Sequence, residues 1–243
     1  MRTTDMVDEL FRGPETELPA GVRLATAKRG GVTVTRVEIT REGLARPRGR
    51  YVTLEMPSVS VLDERDTDVI ETGAAELRAL LPPEGPVLVL GIGNRRVTAD
   101  ALGPRTAQKI LVTMGPQHTL PVRGIRPVAA LAPGVSGDTG LTLRQLAAAM
   151  VDAVRPAALI CVDSLCSAEA ARLGRTIQFS DTGLHPADAR HARHLDAAAL
   201  GVPVIAAGIP TLMDADEGAD LVLTPRALDS VIAHGSALLA GIL

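Results

Sequence analysis

Two aspartates stand out because each follows an apolar run at a position suited to an acid or a base. Residues 86–90 form one run, and a glycine-rich turn containing Asn94 separates it from Asp100; residues 157–162 form the other, and Asp163 follows directly. Continuous apolar runs of this length predict strands buried on both faces. Ligands of such sheets bind beyond the carboxyl ends of the strands, near a topological switch point. We therefore predict a site formed by Asp100 and Asp163, with Asn94 supporting Asp100 from its turn.

Two neighbouring carboxyl groups can hydrolyse a peptide bond when one is ionised and the other is protonated. The ionised group takes a proton from water, while the protonated group polarises the carbonyl and then supplies the leaving nitrogen with a proton. Proximity produces this state, because two like charges at short range raise one of the two pKa values. Such a pair titrates as a unit, so neither aspartate is assigned as the base.

Asp181 and His185 lie in the segment that follows a predicted strand at 176–179, and they are candidates for supporting the site or binding substrate. His185 either forms a hydrogen bond within its loop or completes a metal-ligand set of two carboxylates and one histidine. We favour the first interpretation and predict no metal and no cofactor. His191 and His194 lie among Arg and Ala residues and are predicted to occupy a solvated helix face.

Several other site types are excluded by their missing context. Asp-Thr-Gly occurs at 138–140 and 181–183, but the pepsin-like proteases that carry this tripeptide are all-β, whereas this chain alternates helices and strands. The turn after 86–90 has Arg96 where a dinucleotide fingerprint needs its third glycine. No G-x-S-x-G nucleophile elbow is present. Cys161 and Cys166 are interpreted as small buried apolar residues.

Composition indicates an ordinary globular protein of 243 residues, with 46% hydrophobic and 22% charged residues. A net charge of -3 does not favour a nucleic-acid partner, and an aromatic content of 1% excludes a stacking platform for single strands. The sequence shows no signal peptide and no apolar run long enough for a membrane span. We predict a cytoplasmic protein without a membrane partner.

The periodicity alternates between the two element types over most of the chain. The predicted strands are 32–40, 51–55, 86–90, 126–131, 157–162, 176–179 and 203–207. The predicted helices are 66–81, 100–114, 143–154 and 227–243. This order predicts an α/β fold of three layers, αβα, with a mainly parallel sheet. No linker is evident, so residues 1–243 are predicted to form one domain, with a small N-terminal β extension (1–60) and a core (61–243).

Several longer stretches resemble the germination proteases of spore-forming bacteria, in order along nearly the whole chain. They are RTTDMVDE, GRYVTLE, GIGN, VTADALGPR, ILVT, RPVAALAPGV, SDTGLHP and GVPVIAAGIPTLMDA. The resemblance implies an endopeptidase that degrades small acid-soluble, DNA-protecting spore proteins during germination, in the cytoplasm of the spore core. It also implies a fold similar to that of the hydrogenase maturation proteases.

The resemblance further implies an aspartic peptidase, because the two aspartates of the family fall on Asp100 and Asp163. Family members are made as zymogens that trim their own N-terminus, and they form tetramers, so a homo-oligomer is expected. The chain departs from the family at Ala99, which replaces a proline, and at 187–194, which replaces a Gly- and Lys-rich stretch. It also begins near the family's trimming site and stops soon after its last predicted helix, which bears on assembly and zymogen control.

Two alternative functions remain open at this point. One is a metal-dependent maturation peptidase of the same fold that uses Asp100, Asp163 and His185. The other is a non-catalytic sporulation protein that keeps the fold and binds a partner without cutting it.

Overall fold

The computed structural model describes residues 3–11, 18–62, 66–115, 125–185, 194–215 and 221–243. Its strands are β1 (Val22–Arg29), β2 (Val32–Ile39), β3 (Gly49–Glu55), β4 (Val87–Gly91), β5 (Val128–Leu131), β6 (Ala158–Cys166), β7 (Thr176–Ser180), β8 (Val204–Asp214) and β9 (Val222–Leu223). Its helices are α1 (Thr67–Leu80), α2 (Leu102–Lys109), α3 (Ser136–Thr139), α4 (Leu143–Val154), α5 (Ala197–Leu200) and α6 (Leu228–Ile242). Within these ranges, none of the helices has the length and apolar character needed to cross a bilayer.

The strands form one sheet in the order β1-β2-β3-β7-β8-β6-β4-β5, and β9 pairs with the far end of β8. β4 runs parallel to β5 and β6, and β6 runs parallel to β8. β1, β2, β3 and β7 pair in antiparallel fashion. The predicted α/β class is confirmed. The sheet is mixed, because its parallel half continues into an antiparallel half built from the N-terminal strands and β7.

Helices cover both faces of the sheet, as the alternation of strand side chains requires. Val87 and Val89 of β4 belong to a large apolar cluster that includes residues of α1, α2 and α6. Leu88 and Leu90 of the same strand belong to a second cluster, which Ala147 of α4 joins from the opposite face. The predicted three-layer arrangement is therefore confirmed.

The N-terminal extension is continuous with the sheet, because β3 pairs with β7. A third apolar cluster packs β1, β2 and β3 against residues 7–11, and it contains the chain's single tyrosine, Tyr51. The Tyr51 hydroxyl donates a hydrogen bond to the Pro47 carbonyl at 2.7 Å. Burial raises the pKa of this hydroxyl to about 12. The extension therefore has a small core of its own.

Most predicted elements are present, and the exceptions have local causes. α4 has the predicted bounds. β1 lies in a segment that the pattern leaves unassigned, because most of its side chains are exposed. α2 is shorter than the predicted helix 100–114, since the backbone of Ile110 is extended and Leu111 is exposed. β6 and β8 run past their predicted ends, to Cys166 and Asp214. His191 lies outside the described residues, and His194 is exposed as predicted but lies outside any helix.

The connections create a switch point between β4 and β6. The chain leaves β4, passes through α2 on one face and returns in β5 on one side of β4. From β5 it passes through α4 on the other face and returns in β6 on the opposite side of β4. Loops that diverge to opposite faces leave a crevice between the carboxyl ends of such strands. Asp100 follows β4 and Asp163 lies on β6, so both aspartates border this crevice.

Candidate active site

Asp163 lies on β6 at the level where the neighbouring strand β4 ends. Gly91, the last residue of β4, pairs with Val162, and the N–H of Ile92 donates to the Val162 carbonyl at 2.8 Å. Asp163 is therefore the first β6 residue beyond the β4 ladder, and it is half-buried. Its Oδ1 accepts a hydrogen bond from the N–H of Ser164 at 2.8 Å. This bond fixes one carboxylate oxygen at the edge of the crevice.

Asp100 ends a short 3-10 turn, Thr98–Asp100, that leads into α2. Its Oδ2 accepts a hydrogen bond from the N–H of Asn94 at 2.7 Å. The side chain of Asn94 in turn accepts a hydrogen bond from the N–H of Arg96 at 3.0 Å, which stabilises the turn that presents its backbone to Asp100. Asn94 thus occupies a turn and contacts Asp100 through its main chain.

Two glycines allow the start of α2 to lie directly against both strand ends. A Cβ on Gly103 would lie 2.3 Å from the carbonyl oxygens of both Ile92 and Val162. A Cβ on Gly93, where φ is +121°, would lie 2.1 Å from the Asp100 carbonyl oxygen. No side chain fits at such distances, and the positive φ is accessible to glycine. The close approach brings the turn that carries Asp100 against β6 at Val162, the residue before Asp163.

General acid–base hydrolysis needs one group that takes a proton and one that gives a proton. The two half-buried aspartates that border the crevice could supply both groups. Each accepts a backbone N–H, so each is held in a defined orientation. The thiols nearby are not nucleophiles: Cys161 and Cys166 are both buried and free, as predicted. Burial raises the pKa of Cys166 to about 12 and also raises the pKa of Cys161, with the charge of Asp163 adding to the second shift.

Asp181 lies in the loop after β7 and joins that loop to β3. Its Oδ1 accepts the N–H of Arg50 and its Oδ2 accepts the Nε–H of Arg50, both at 2.7 Å. β7 runs antiparallel to β8, with Gln178 opposite Gly208 and Ser180 opposite Ala206. Since Gly208 also pairs with Asp163, the end of β7 that carries Asp181 points away from the crevice edge of the sheet.

His185 follows in the same loop and is half-buried. Its Nε2 donates to the Thr182 carbonyl at 2.9 Å, and the same atom lies 3.8 Å from Oδ2 of Asp196. Its ring packs edge-to-face on His194, with 4.9 Å between the centroids. Burial lowers the pKa of His185, and the Thr182 and Asp196 oxygens oppose that shift. In the described part of the chain, no group of three His, Cys, Asp or Glu side chains is arranged to hold a metal ion.

The N-terminal segment contacts β6 at its carboxyl end, and the sequence patterns do not indicate this contact. The N–H of Asp5 donates to the Cys166 carbonyl, and the Cys166 N–H donates to Asp5 Oδ2, both at 2.8 Å. Asp8 is fully buried and accepts two hydrogen bonds from Arg172, and Glu9 lies 3.4 Å from the same guanidinium. The only sequence feature that could have indicated these contacts is the group of acidic residues at 5–9. Its spacing does not identify Arg172 as their partner.

Comparison with known proteins gives a consistent result. The sequence profile described as germination protease matches residues 4–236. The germination protease of Clostridium perfringens (strain SM101 / Type A) is 38% identical over 208 residues, which are 79% of this chain and 64% of that protein. The germination protease of Caldanaerobacter subterraneus subsp. tengcongensis is 40% identical over 222 residues, which are 85% of this chain and 67% of that protein.

A further relative and one solved structure complete the comparison. The germination protease of Bacillus velezensis is 38% identical over 222 residues, or 58% of its length, so the chain spans about three-fifths of the curated relatives it matches. The crystal structure of the NiFe hydrogenase maturation protease HycI from Thermococcus kodakarensis KOD1 aligns with 69% of this chain and 98% of its own, at 15% identity and a TM-score of 0.44. On the match over residues 4–236, the chain belongs to the germination protease family.

Proposed function

We propose that this chain is an endopeptidase in which Asp100 and Asp163 form an aspartic acid–base pair. The observation that carries the proposal is the close packing of the start of α2, which follows the Asp100 turn, on β6 beside Asp163, through Gly103 against the Val162 carbonyl. Membership of the germination protease family supports peptide hydrolysis as the reaction. The motifs that contain the two aspartates also resemble those of the family's catalytic aspartates.

In the proposed mechanism, the two carboxyl groups share one proton. The ionised carboxylate takes a proton from a water molecule, which attacks the scissile carbonyl carbon. The protonated carboxyl donates a hydrogen bond to the carbonyl oxygen and then gives its proton to the leaving amide nitrogen. The N–H groups of Asn94 and Ser164 each hold one carboxylate oxygen and so orient the two carboxyl groups.

The remaining candidate residues have supporting roles in this proposal. Asn94 orients Asp100 through its backbone N–H. Asp181 and His185 maintain the loop after β7, Asp181 through Arg50 and His185 through Thr182. The His185 contacts favour this interpretation over a metal-dependent peptidase, because the Nε2 atom is engaged with a backbone carbonyl. We propose that neither a metal nor another cofactor takes part.

The substrates in this proposal are the small acid-soluble proteins that protect spore DNA. This substrate class, a homo-oligomeric state, a zymogen stage and action in the cytoplasm of the spore core are all carried over from the family resemblance. The protein would act on the DNA-protecting proteins and not on the nucleic acid, which agrees with its net charge of -3.

A cleavage assay with a small acid-soluble spore protein tests the proposal. We expect cleavage by the unmodified chain, with and without a chelator, and its loss in Asp100→Asn and in Asp163→Asn. Asp152→Asn is the matched control, because Asp152 is exposed on α4. Equal cleavage by all variants would contradict the assigned pair. Loss of activity with chelator would favour the metal-dependent alternative, and binding without cleavage by the unmodified chain would favour a non-catalytic partner-binding protein.

A further inference from the structure

β8 contains a proline, Pro210, just beyond the segment that pairs with β7. The β7 ladder covers Ala206–Gly208, so Pro210, which has no N–H, lies past the end of that ladder while β6 still pairs with β8. Leu165 of β6 pairs with Pro210, whereas the next residue, Cys166, pairs with Leu212. Thr211 is therefore an extra residue on β8 without a pairing partner on β6. This arrangement is a β-bulge, a feature that redirects a side chain and is common beside active sites.

The bulge directs Thr211 onto the turn that carries Asp100. Thr211 is 0% exposed, and its Oγ1 donates a hydrogen bond to the Ala99 carbonyl at 2.8 Å. Ala99 is the middle residue of the turn Thr98–Asp100, so the bond ends one residue before Asp100. A threonine hydroxyl on a central strand thus reaches across to the chain segment that follows β4.

This hydrogen bond links the turn that carries Asp100 to β8, the strand beside the one that carries Asp163. Gly93 and Asn94 hold Asp100 from the β4 side. Thr211 holds the same turn from β8, the strand that pairs with β6 and places Gly208 opposite Asp163. The position of Asp100 relative to Asp163 therefore depends on a contact that belongs to neither aspartate's own loop.

We infer that Thr211 is a positioning residue that sets the separation of Asp100 and Asp163 through its hydrogen bond to Ala99. The inference rests on the proposed two-aspartate function. Thr211 lies in the stretch GVPVIAAGIPTLMDA, in which the sequence patterns assign no role to the Ile-Pro-Thr segment. The bulge interrupts the regular pairing of β8 with β6 at the residue whose hydroxyl reaches Ala99.

The test is a comparison of steady-state constants for Thr211→Val, which keeps the shape of the side chain and removes the hydroxyl. We expect kcat to fall on the order of 10²-fold, because small displacements of catalytic groups have effects of that size. KM should stay within about twofold of the unmodified protein, because the lost hydrogen bond acts on the turn that carries Asp100 and not on a remote part of the substrate. Thr211→Ser restores the hydroxyl and should recover most of kcat.

Thr106→Val is the matched control. Thr106 is also 0% exposed, and its Oγ1 donates to the Leu102 carbonyl at 2.9 Å within α2 itself. Both variants lose one buried hydroxyl-to-carbonyl hydrogen bond, so their melting temperatures should fall by similar amounts, but kcat should fall only in Thr211→Val. If Thr211→Val does not fold, Thr211→Ala against Thr211→Ser provides the same comparison.

The outcomes distinguish this inference from the function on which it rests. Full activity in Asp100→Asn would overturn the proposed function and this inference together. Inactive Asp100→Asn with equal kcat in Thr211→Val and Thr106→Val would overturn the role of Thr211 alone. A kcat loss that Thr211→Ser does not recover would also overturn it, because the hydroxyl would then not be the group responsible.

Discussion

The two halves of the sheet hold their acidic side chains in different ways. In the antiparallel half, buried carboxylates pair with arginines: Asp8 with Arg172, and Glu76 with Arg36 at 2.8 Å. In the parallel half, Asp100 and Asp163 each accept a backbone N–H at the edge of a crevice. A guanidinium supplies a full counter-charge, whereas a backbone amide orients one carboxylate oxygen. The first arrangement suits a structural role, and the second is the arrangement expected of the proposed acid–base pair.

The largest expected effect tests the parallel half. Asp100→Asn and Asp163→Asn should each lower kcat by roughly 10²–10⁴-fold, the usual contribution of general acid–base catalysis. The double variant should fall little further, because residues that act as a unit are not additive. Steady-state cleavage rates of the three variants decide the point. Independent, multiplying losses would show that the two carboxyl groups do not share one proton.

The next effect tests the antiparallel half. Arg172→Met should lower the free energy of unfolding by about 3–5 kcal/mol, because it leaves Asp8 and Glu9 buried without their counter-charge. Arg23→Met is the matched control, since Arg23 pairs with Glu38 on the surface and should cost less than about 1 kcal/mol. Urea denaturation measures both. Equal losses in the two variants would contradict a structural role for the buried cluster.

A smaller effect should appear where α2 meets the strand ends. Gly103→Ala places a methyl group 2.3 Å from two backbone carbonyl oxygens, so α2 must move, at a cost of about 1–3 kcal/mol. The turn carrying Asp100 precedes α2 directly, so kcat should fall as well. Gly137→Ala is the control, because nothing lies within 4 Å of its added Cβ. Thermal melts and cleavage rates of both variants measure the changes in stability and in kcat. An unchanged kcat in Gly103→Ala would contradict the dependence of the proposed site on the packing of α2.

The smallest effect concerns the loop after β7. Burial lowers the pKa of His185 in the folded state below its ordinary value of about 6.5. The unfolded chain therefore binds the proton first on acidification, so stability falls as the pH drops from about 6.5 through the folded-state pKa. His185→Gln should lose less stability than the unmodified protein over that interval. Urea midpoints of both proteins at pH 7 and pH 5.5 measure the difference. Equal losses of stability in His185→Gln and in the unmodified protein would exclude His185 as the source.

Local patterns predict the parallel half of the molecule well. The apolar runs that became β4 and the first part of β6 are buried on both faces, and Asp100 and Asp163 could be selected as the acidic residues after them, although β6 continues past Asp163 to Cys166. The antiparallel half was less predictable, because β1 is mostly exposed and has no alternation to detect. Arg172 and Asp8 are far apart in sequence, and no local pattern links them.

The bulge on β8 was also beyond the reach of periodicity. Pro210 within an apolar stretch indicates the end of a strand, and the predicted strand 203–207 stops before it. The strand continues past Pro210, with a bulge at Thr211 on the β6 side and with β9 paired to Met213 and Asp214 at its far end. Tertiary pairing, rather than local preference, therefore determines where Thr211 points.

Tyr51 gives the protein an internal optical reporter. It is the only tyrosine in a chain without tryptophan, and it is packed in the cluster of the N-terminal extension, far along the sheet from β4. Its ultraviolet emission and its ionisation in alkali therefore report on the extension and on the adjoining loop after β7, without any label. Followed alongside cleavage activity during denaturation, this signal would reveal whether the extension melts before the catalytic half or together with it.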